Sequence, residues 1–212
     1  RPVDDCWLNS VRLQVTLNNF TRGADGTTTV ALTPIAPPLA MFASCRLFLG
    51  GQIVEQIDEA QTLAKIIDSL QPTNRRFNDT IMANPFGDTG YVAIPKDKSR
   101  RLLIELPFGM FRQHRWLPLH ILSQLVIELT LGPAFMAFAE MTADWSLSDV
   151  ALLGTCLHVD SSVTAQYHQH IDSGHKLAIP FQSVTCSRHV VSQPEFQLAL
   201  SRSLSRLKQL HF

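Results

Sequence analysis

The stretch RLLIELPFGMFRQHRWLPLHILSQLVIEL, which runs from Arg101 to Leu129, decides the fold. Apolar and polar residues alternate near both of its ends, and alternation of this kind predicts half-buried β-strands. Between the two ends lie two prolines, a glycine, three aromatic residues and several basic residues. Turn-forming residues interrupt a strand. The sequence therefore places aromatic and basic bulk in the connection between two apolar strands.

The flanking sequence predicts more strands. Residues 11–17 alternate most regularly, with four apolar side chains on one face. Gly50-Gly51 lies between two apolar runs within residues 44–57, which is typical of a β-hairpin. The remaining predicted strands are residues 27–35, 91–95, 148–160, 176–186 and 196–204.

Two segments have helical patterns. Between Glu55 and Leu70 the apolar residues recur every three to four positions, which predicts an amphipathic helix that ends before Pro72. Residues 161–174 begin with serine and end with Gly174, so we expect a short capped helix there. No strand–helix–strand rhythm appears. Many strands with helices only in the connections predict an all-β fold, with antiparallel sheets packed as a sandwich.

The composition limits the kinds of partner. The chain has 212 residues and no net charge, which argues against a long-range field that recruits nucleic acid or a membrane surface. Charged residues make up 17% of the chain, against roughly 25% in an average domain. This low value is compatible with a large core and equally with a surface hidden against a partner. No run of eighteen apolar residues occurs, so no membrane-spanning helix is predicted.

The four cysteines are too few and too scattered for a disulfide scaffold, and none forms a CxxC pair. We expect free thiols in a reducing compartment. Asn19-Phe20-Thr21 and Asn78-Asp79-Thr80 match the glycosylation pattern, which short sequences often match by chance. Because the chain begins with arginine, we expect it to be a piece of a longer protein. The cysteines are Cys6, Cys45, Cys156 and Cys186.

Motifs for nucleotide or metal chemistry do not occur, since the sequence has no phosphate loop, GxGxxG or HExxH pattern. The strongest metal candidate is the cluster His168, His170 and His175, with His158 and Asp160 upstream. On a helix His168 and His170 lie about 200° apart and cannot serve one metal from one face. On a strand they would share a face. We interpret these histidines as solvated or partly packed, and expect no metal and no cofactor.

Catalytic arrangements are equally weak. Cys156 and His158 would share one side of a strand, but a nucleophile also needs a base within reach and an oxyanion hole. Glu55 and Asp58 are interpreted as surface charges and not as a catalytic pair. We therefore expect no enzyme. A basic run near the end of the chain is interpreted as the solvent-exposed face of a strand or helix and not as a nucleic-acid contact. It consists of Arg202, Arg206 and Lys208.

Several segments, taken in order, resemble the double jelly-roll major capsid proteins of double-stranded DNA viruses, which include algal viruses, virophages and Polinton-like elements. The opening stretch resembles the end of that family's first jelly roll. Residues 45–58 resemble its central hairpin, residues 145–162 the strand that opens the second roll, and residues 200–212 a later strand. The residues that match in the opening stretch are Leu106-Pro107-Phe108, Phe111, Leu117-Pro118-Leu119 and the strand from Leu125 to Leu131.

The resemblance implies a jelly-roll sandwich. Residues 1–138 would form a nearly complete first roll, and residues 139–212 would begin an incomplete second roll. The implied function is that of a structural capsid protein that self-assembles into a viral shell, with no catalytic residues and no small-molecule substrate. Its partners would be other copies in a homotrimer and further capsid proteins, and its location would be the virion, assembled inside the host cell.

The resemblance also gives the aromatic connection a role. Phe108, Met110, Phe111 and Trp116 would plug one end of the first roll or pack against the next roll, and each aromatic can bury about 150–250 Å². Three basic residues, Arg112, His114 and Arg115, would point outward, toward neighbouring subunits or the capsid interior. A merely well-filled end of the sandwich is the alternative. Since three strands cannot close the second roll, we expect residues 149–212 to expose apolar edges unless further chain or a partner completes it.

Two other functions stay open. Jelly rolls also serve as carbohydrate-binding or ligand-binding modules, because a fold does not determine a function. Such sites usually expose a row of aromatic residues, and the three tryptophans are far apart in sequence. A jelly-roll metalloenzyme that uses the histidine cluster is the other alternative. The tryptophans are Trp7, Trp116 and Trp145.

Overall fold

The computed structural model describes residues 6–22, 30–72, 92–113, 115–118, 124–140, 143–176, 178–186, 188, 195 and 197. Within these residues the chain forms seven β-strands, two α-helices and three short 3-10 turns. The elements are β1 (Cys6–Asn19), β2 (Phe42–Leu49), β3 (Gln52–Ile57), α1 (Ala60–Leu70), β4 (Ser99–Glu105), β5 (Leu117–Pro118), β6 (Leu125–Leu131), β7 (Trp145–His158) and α2 (Ser161–Asp172). The 3-10 turns are Pro38–Met41, Gly109–Phe111 and Ala134–Met136.

The first sheet is built around β1. Its predicted alternation holds, since Val11, Leu13, Val15 and Leu17 are all buried. Along one side β1 pairs antiparallel with β7 over nearly its whole length. Along the other side it pairs antiparallel with β4 and then, at its beginning, with the short β5. Because β1 is longer than either partner on that side, β4 and β5 share its edge.

The second sheet has the order β3-β2-β6 and is also antiparallel. The β2–β3 hairpin was predicted, and the structure confirms it. Gly50 and Gly51 have φ angles of 58° and 80°. Positive φ at both central residues is what a two-residue turn between right-twisted strands requires, and glycine adopts it at little cost.

Both sheets contribute to one apolar core, which also contains α1 and the turn after β4. The buried residues include Leu13 and Val15 of β1, Cys45 and Leu47 of β2, and Ile104 of β4. The fold is therefore mostly antiparallel β-structure around a common core. This confirms the predicted fold class, an all-β arrangement consistent with a sandwich.

Both predicted helices are present. The first begins at Ala60 and not at Glu55, because Gln52–Ile57 pair with β2 instead. The second begins after Asp160, whose side chain accepts a hydrogen bond from the Ser162 N–H at 2.8 Å. It ends before Gly174, which has a φ of 81° and so occupies the left-handed region common after a helix.

Three predicted strands differ from the structure. In the described parts of residues 27–35 and 91–95, only single bridges form, between Leu32 and Ile94 and between Pro34 and Phe138. Residues 178–186 join no sheet. Prolines at positions 34, 95 and 180 explain this, because proline has no N–H to donate to a ladder. The strand predicted at residues 196–204 lies outside the described residues except for Gln197.

The predicted boundary between the two rolls, at residues 138 and 139, stays a prediction. β7 lies after that boundary, yet it belongs to the same sheet as β1 and registers Cys6 with His158 and Asn19 with Trp145. The first sheet is thus built from strands on both sides of the predicted boundary.

Candidate functional site

The aromatic connection after β4 forms a buried plug, residues 106–111. Phe108, Met110 and Phe111 are all buried in the common core. The rings of Phe108 and Phe111 meet edge to face, with centroids 6.0 Å apart and planes at 80°. This is a favourable arrangement for two aromatic rings. The bulk that the sequence places here therefore fills the core of this chain.

A buried carboxylate holds the plug. Glu55 on β3 is only 3% exposed, and its two carboxylate oxygens accept hydrogen bonds from the backbone N–H groups of Gly109 and Met110, each at 2.9 Å. These donors begin the 3-10 turn, where backbone N–H groups need an acceptor. Burial raises the pKa of Glu55, and the two hydrogen bonds and the charge of Arg112 offset part of that rise.

Residues 178–186 lie against the outside of the plug. A Cβ atom placed on Gly109 would collide with the carbonyl oxygen of Gln182. Ile179, Phe181 and Cys186 are partly buried against the core on either side of this contact. Glycine at position 109 is therefore needed for the close approach of two backbones.

The five residues predicted for subunit or inter-roll packing fall into two groups. Phe108, Met110 and Phe111 lie in the core, while Arg112 is exposed and Trp116 is half-buried. The Arg112 Nε lies 3.5 Å from the Glu105 Oε1. The plug meets residue 182, which belongs to the predicted second roll, but a role in packing between rolls or subunits stays a prediction.

The outer edge of the first sheet is apolar. Among the described residues, β7 has β1 as its one strand neighbour. Leu152 is opposite Leu13 and so lies on the core side of the sheet, yet it is 55% exposed. Nothing in the described second sheet covers it. The large exposed side chains of this strand, which we call the β7 face, are Val150, Leu152, Leu153 and Leu157.

Two irregularities lie along the β1–β7 pair. The register shifts between Asn9 and Arg12 and again between Gln14 and Thr16. Ser10 on β1 and Asp149 on β7, which lie at these two shifts, have φ angles of 48° and 50°, in the left-handed region that residues other than glycine seldom adopt. β7 continues as a strand past Asp149 to His158.

The histidine cluster is dispersed over α2 and its end. His168 and His170 lie on α2, and the ring of His170 stacks on that of His175 with centroids 4.5 Å apart. No group of three or more His, Cys, Asp or Glu residues suited to a metal ion is found in the part of the chain that the structure describes. Cys156 is exposed on β7, where it pairs in register with Leu8.

Two important polar residues were missed or misread from the sequence. Glu55 was interpreted as a surface charge, but it is buried. Asn19 was noted only in a glycosylation pattern, but it is 1% exposed, and its amide donates to the carbonyl oxygens of Val30, Ile94 and Pro95. A buried side chain of this kind cannot carry a glycan. The other pattern, Asn78-Asp79-Thr80, lies outside the described residues.

The described helices are all too short or too polar to cross a membrane. No protein-family model matches the chain, and no curated protein matches it in sequence. The candidate function therefore depends on the geometry of the plug and of the β7 face.

Proposed function

We propose that the chain is a structural protein whose work is self-assembly, and that its copies associate through the β7 face. The proposal includes the jelly-roll architecture and the capsid role that the sequence resemblance implies. A protein of this kind acts through buried interface area and not through chemistry, and obligate interfaces resemble a divided core.

The exposed apolar side chains of β7 are the observation that carries the proposal. Val150 is 63% exposed, and Leu152, Leu153 and Leu157 follow on the same strand. Single exposed apolar residues are common on monomers, but four exposed apolar side chains along one unpaired strand, with Leu152 and Leu153 on its opposite sides, are typical of a strand edge that pairs with another chain. Each such side chain gains about 1.5–3 kcal/mol when it is fully buried.

A second copy of this chain is the partner that we propose. The chain has zero net charge, so copies do not repel one another at long range. Its charged content is low, which leaves few groups to specify a foreign, charged partner. In a trimer, as the resemblance implies, the β7 face of one copy would pack against a different surface of the next copy.

The topology supports the jelly-roll part of the proposal. β1 neighbours β4, β5 and β7, none of which follows it directly in the chain. The chain passes repeatedly between the two sheets, since β2, β3 and β6 form one sheet and the other strands the second. Antiparallel neighbours that are distant in sequence are typical of Greek-key sandwiches, the class to which jelly rolls belong.

Sedimentation of matched variants tests the proposal. At micromolar concentration we expect the unmodified chain to associate, with a trimer as the predicted species. Val150→Lys places a charge in the interface and should weaken association about tenfold or more. Ile53→Lys is the matched control, because Ile53 is 51% exposed on β3 of the other sheet. A stable monomer at all concentrations, or equal effects of the two variants, would contradict the proposal.

Cys156 offers a second readout of the same interface. Its thiol is exposed on β7, whereas Cys45 is buried. Maleimide labelling followed by peptide mapping should show that Cys156 is protected as the protein concentration rises, and that Val150→Lys removes this protection. Labelling of Cys156 that is independent of concentration, in a chain that does associate, would place the interface elsewhere.

The carbohydrate-binding alternative has less support. Trp7 packs edge to face on Tyr167, with ring centroids 4.8 Å apart. The ring centroids of Trp145 and Phe138 are 5.5 Å apart. Trp116 is half-buried. The described tryptophans therefore do not form the exposed aromatic row that such sites use.

A further inference from the structure

A cleft of about 600 Å³ lies beside the part of β1 that has no strand partner on one side. β4 pairs with β1 from Arg12 onward, and β5 pairs only with Trp7 and Leu8. Residues 9–11 of β1 therefore lie in a gap between two strands, and they line the cleft. The volume falls within the range of about 300–1,000 Å³ that is usual for ligand sites.

The cleft has an apolar wall and a charged rim. Leu106 and Phe111 of the plug form part of the wall, and Ile67 of α1 also lines the cleft. Arg12 and Arg112 also line it. A site that combines apolar surface with a few placed polar groups is the usual form of a small-ligand pocket.

The rim has an excess of positive charge. Glu105 registers with Arg12 across the strand pair, and its Oε1 lies 3.5 Å from the Arg112 Nε. Arg12 has no carboxylate within ion-pair distance among the described residues. Among the residues that line the cleft, two guanidinium groups thus stand against one carboxylate, which lies within ion-pair distance of Arg112 but not of Arg12. Guanidinium groups bind carboxylates through paired hydrogen bonds, so the rim has capacity for a second carboxylate.

The backbone of the gap is unusual. Ser10 has a φ of 48°, a region that serine seldom adopts, and its N–H donates to the Asn9 Oδ1 at 2.7 Å. Strained residues of this kind often lie at binding sites. Gln113 also lines the cleft, and both polar atoms of its amide are buried without a hydrogen-bond partner. An unpartnered amide can both donate a hydrogen bond to a peptide group and accept one from it.

We propose that this cleft binds the free carboxyl terminus of a peptide whose last side chain is apolar. The carboxylate would meet Arg12 and Arg112, and the apolar side chain would contact Leu106 and Phe111. The preceding peptide groups would lie along the gap in β1, as in other sites where an extended peptide joins a sheet edge. The residues that line the cleft do not include those of the β7 face, so the site goes beyond the proposed assembly.

Titration of ¹⁵N-labelled protein with three tripeptide probes tests the site. The first probe is acetyl-Ala-Val-Leu with a free carboxylate, and the second is the same peptide as a carboxamide. The third, acetyl-Ala-Val-Asp carboxamide, carries its negative charge on a side chain. We expect saturable shifts of the Ser10 backbone amide and the Gln113 side-chain amide with the first probe only. Equal binding of the second or third probe would overturn the assignment to a carboxyl terminus.

Four variants should change the affinity for the first probe in different ways. Arg12→Gln and Arg112→Gln should each weaken the first probe about tenfold, because each removes a charged hydrogen-bond donor. Glu105→Gln should strengthen it severalfold, since the competing carboxylate is lost. Arg101→Gln is the control, because Arg101 is exposed on β4 and does not line the cleft. No saturable binding, or equal weakening by Arg101→Gln, would overturn the proposal.

Discussion

The carboxylate of Glu55 satisfies two consecutive backbone donors that no strand pairs, the N–H groups of Gly109 and Met110. A buried backbone N–H without an acceptor is strongly unfavourable. A carboxylate has two oxygens and can serve both donors at once. At the scale of one residue, Glu55 therefore links β3 to the plug and determines where the plug enters the core.

We expect Glu55→Ala to destabilise the fold by about 2–4 kcal/mol, because it leaves both N–H groups buried without an acceptor. Glu55→Gln is the matched control. It keeps one acceptor oxygen and nearly the same volume, so it should cost roughly half as much. Urea unfolding at neutral pH measures both values. Equal stability of the alanine variant and the unmodified chain would show that the plug does not depend on Glu55.

The pH dependence of the free energy of unfolding, compared between the unmodified chain and Glu55→Gln, gives a second readout. Burial raises the pKa of Glu55 above its ordinary value. The folded chain then holds this proton more tightly than the unfolded chain. The part of the stability that comes from binding this proton is therefore fully present below the ordinary glutamate pKa of about 4.3 and is lost as the pH rises through the raised value, while the two hydrogen bonds to the carboxylate remain. Relative to Glu55→Gln, the unmodified chain should lose stability over that window.

Residue-scale roles of this kind are hard to predict from the sequence. Glu55 is separated from its partners by more than fifty positions, and a glutamate before a helical pattern is usually exposed. Its burial follows from pairing of β3 with β2, which makes residues 52–57 a strand. Asn19 had a clearer signal, since an asparagine at the end of a strand often organises the following turn.

At the scale of elements, the plug is held between β3 and residues 178–186. Gly109 faces the backbone of Gln182 at a distance that admits no side chain. Phe181 and Cys186 are half-buried beside it. Two elements distant in sequence thus meet at one glycine, and the extended segment stays in place although it joins no sheet in the described residues.

Gly109→Ala should release residues 178–186 and destabilise the fold by about 1–3 kcal/mol, the usual cost of an overpacked site. Burial raises the pKa of the Cys186 thiol, with a further contribution from the charge of Glu59. Because the thiolate is the reactive form, release should speed maleimide labelling of Cys186 severalfold under native conditions.

Gly174→Ala is the matched control for this release. Gly174 has a φ of 81° and nothing within contact distance of an added Cβ. Alanine there should cost about 1–2 kcal/mol through backbone strain alone and should leave Cys186 labelling unchanged. If Gly109→Ala destabilises the fold without a change in Cys186 labelling, the plug and residues 178–186 are not coupled.

The elements differ in how well the sequence predicted them. β1, the β2–β3 hairpin, β6 and α2 follow from local patterns, because each has its own periodicity or turn residues. The 176–186 segment has strand-like composition but contains Pro180, and its position depends on a contact with Gly109 that no local pattern reveals. The position of this segment is therefore determined by tertiary contacts and not by its local sequence.

At the scale of the whole molecule, the sequence predicted antiparallel sheets packed as a sandwich, with a nearly complete first roll and the start of a second, and the structure confirms the antiparallel sheets. It also predicted that the chain beyond residue 149 would expose apolar edges, and β7 does so at Val150 and Leu152. The pairing of β7 with β1 was not predicted, because antiparallel partners more than a hundred residues apart leave no local signal. The five residues predicted for packing between rolls or subunits divide between core and surface in a way that no local pattern reveals, and their packing role stays a prediction.

The temperature and salt dependence of assembly is our last prediction. Association through the β7 face buries apolar side chains and few charges, so it should strengthen on warming from about 10 to 30 °C. It should not weaken between about 0.05 and 0.5 M sodium chloride, because screening acts on exposed charges. Sedimentation under the four conditions measures both effects, and Val150→Lys should associate more weakly than the unmodified chain under each of them. Dissociation by salt would show instead that ion pairs hold the copies together, and the β7 face would then not be the interface.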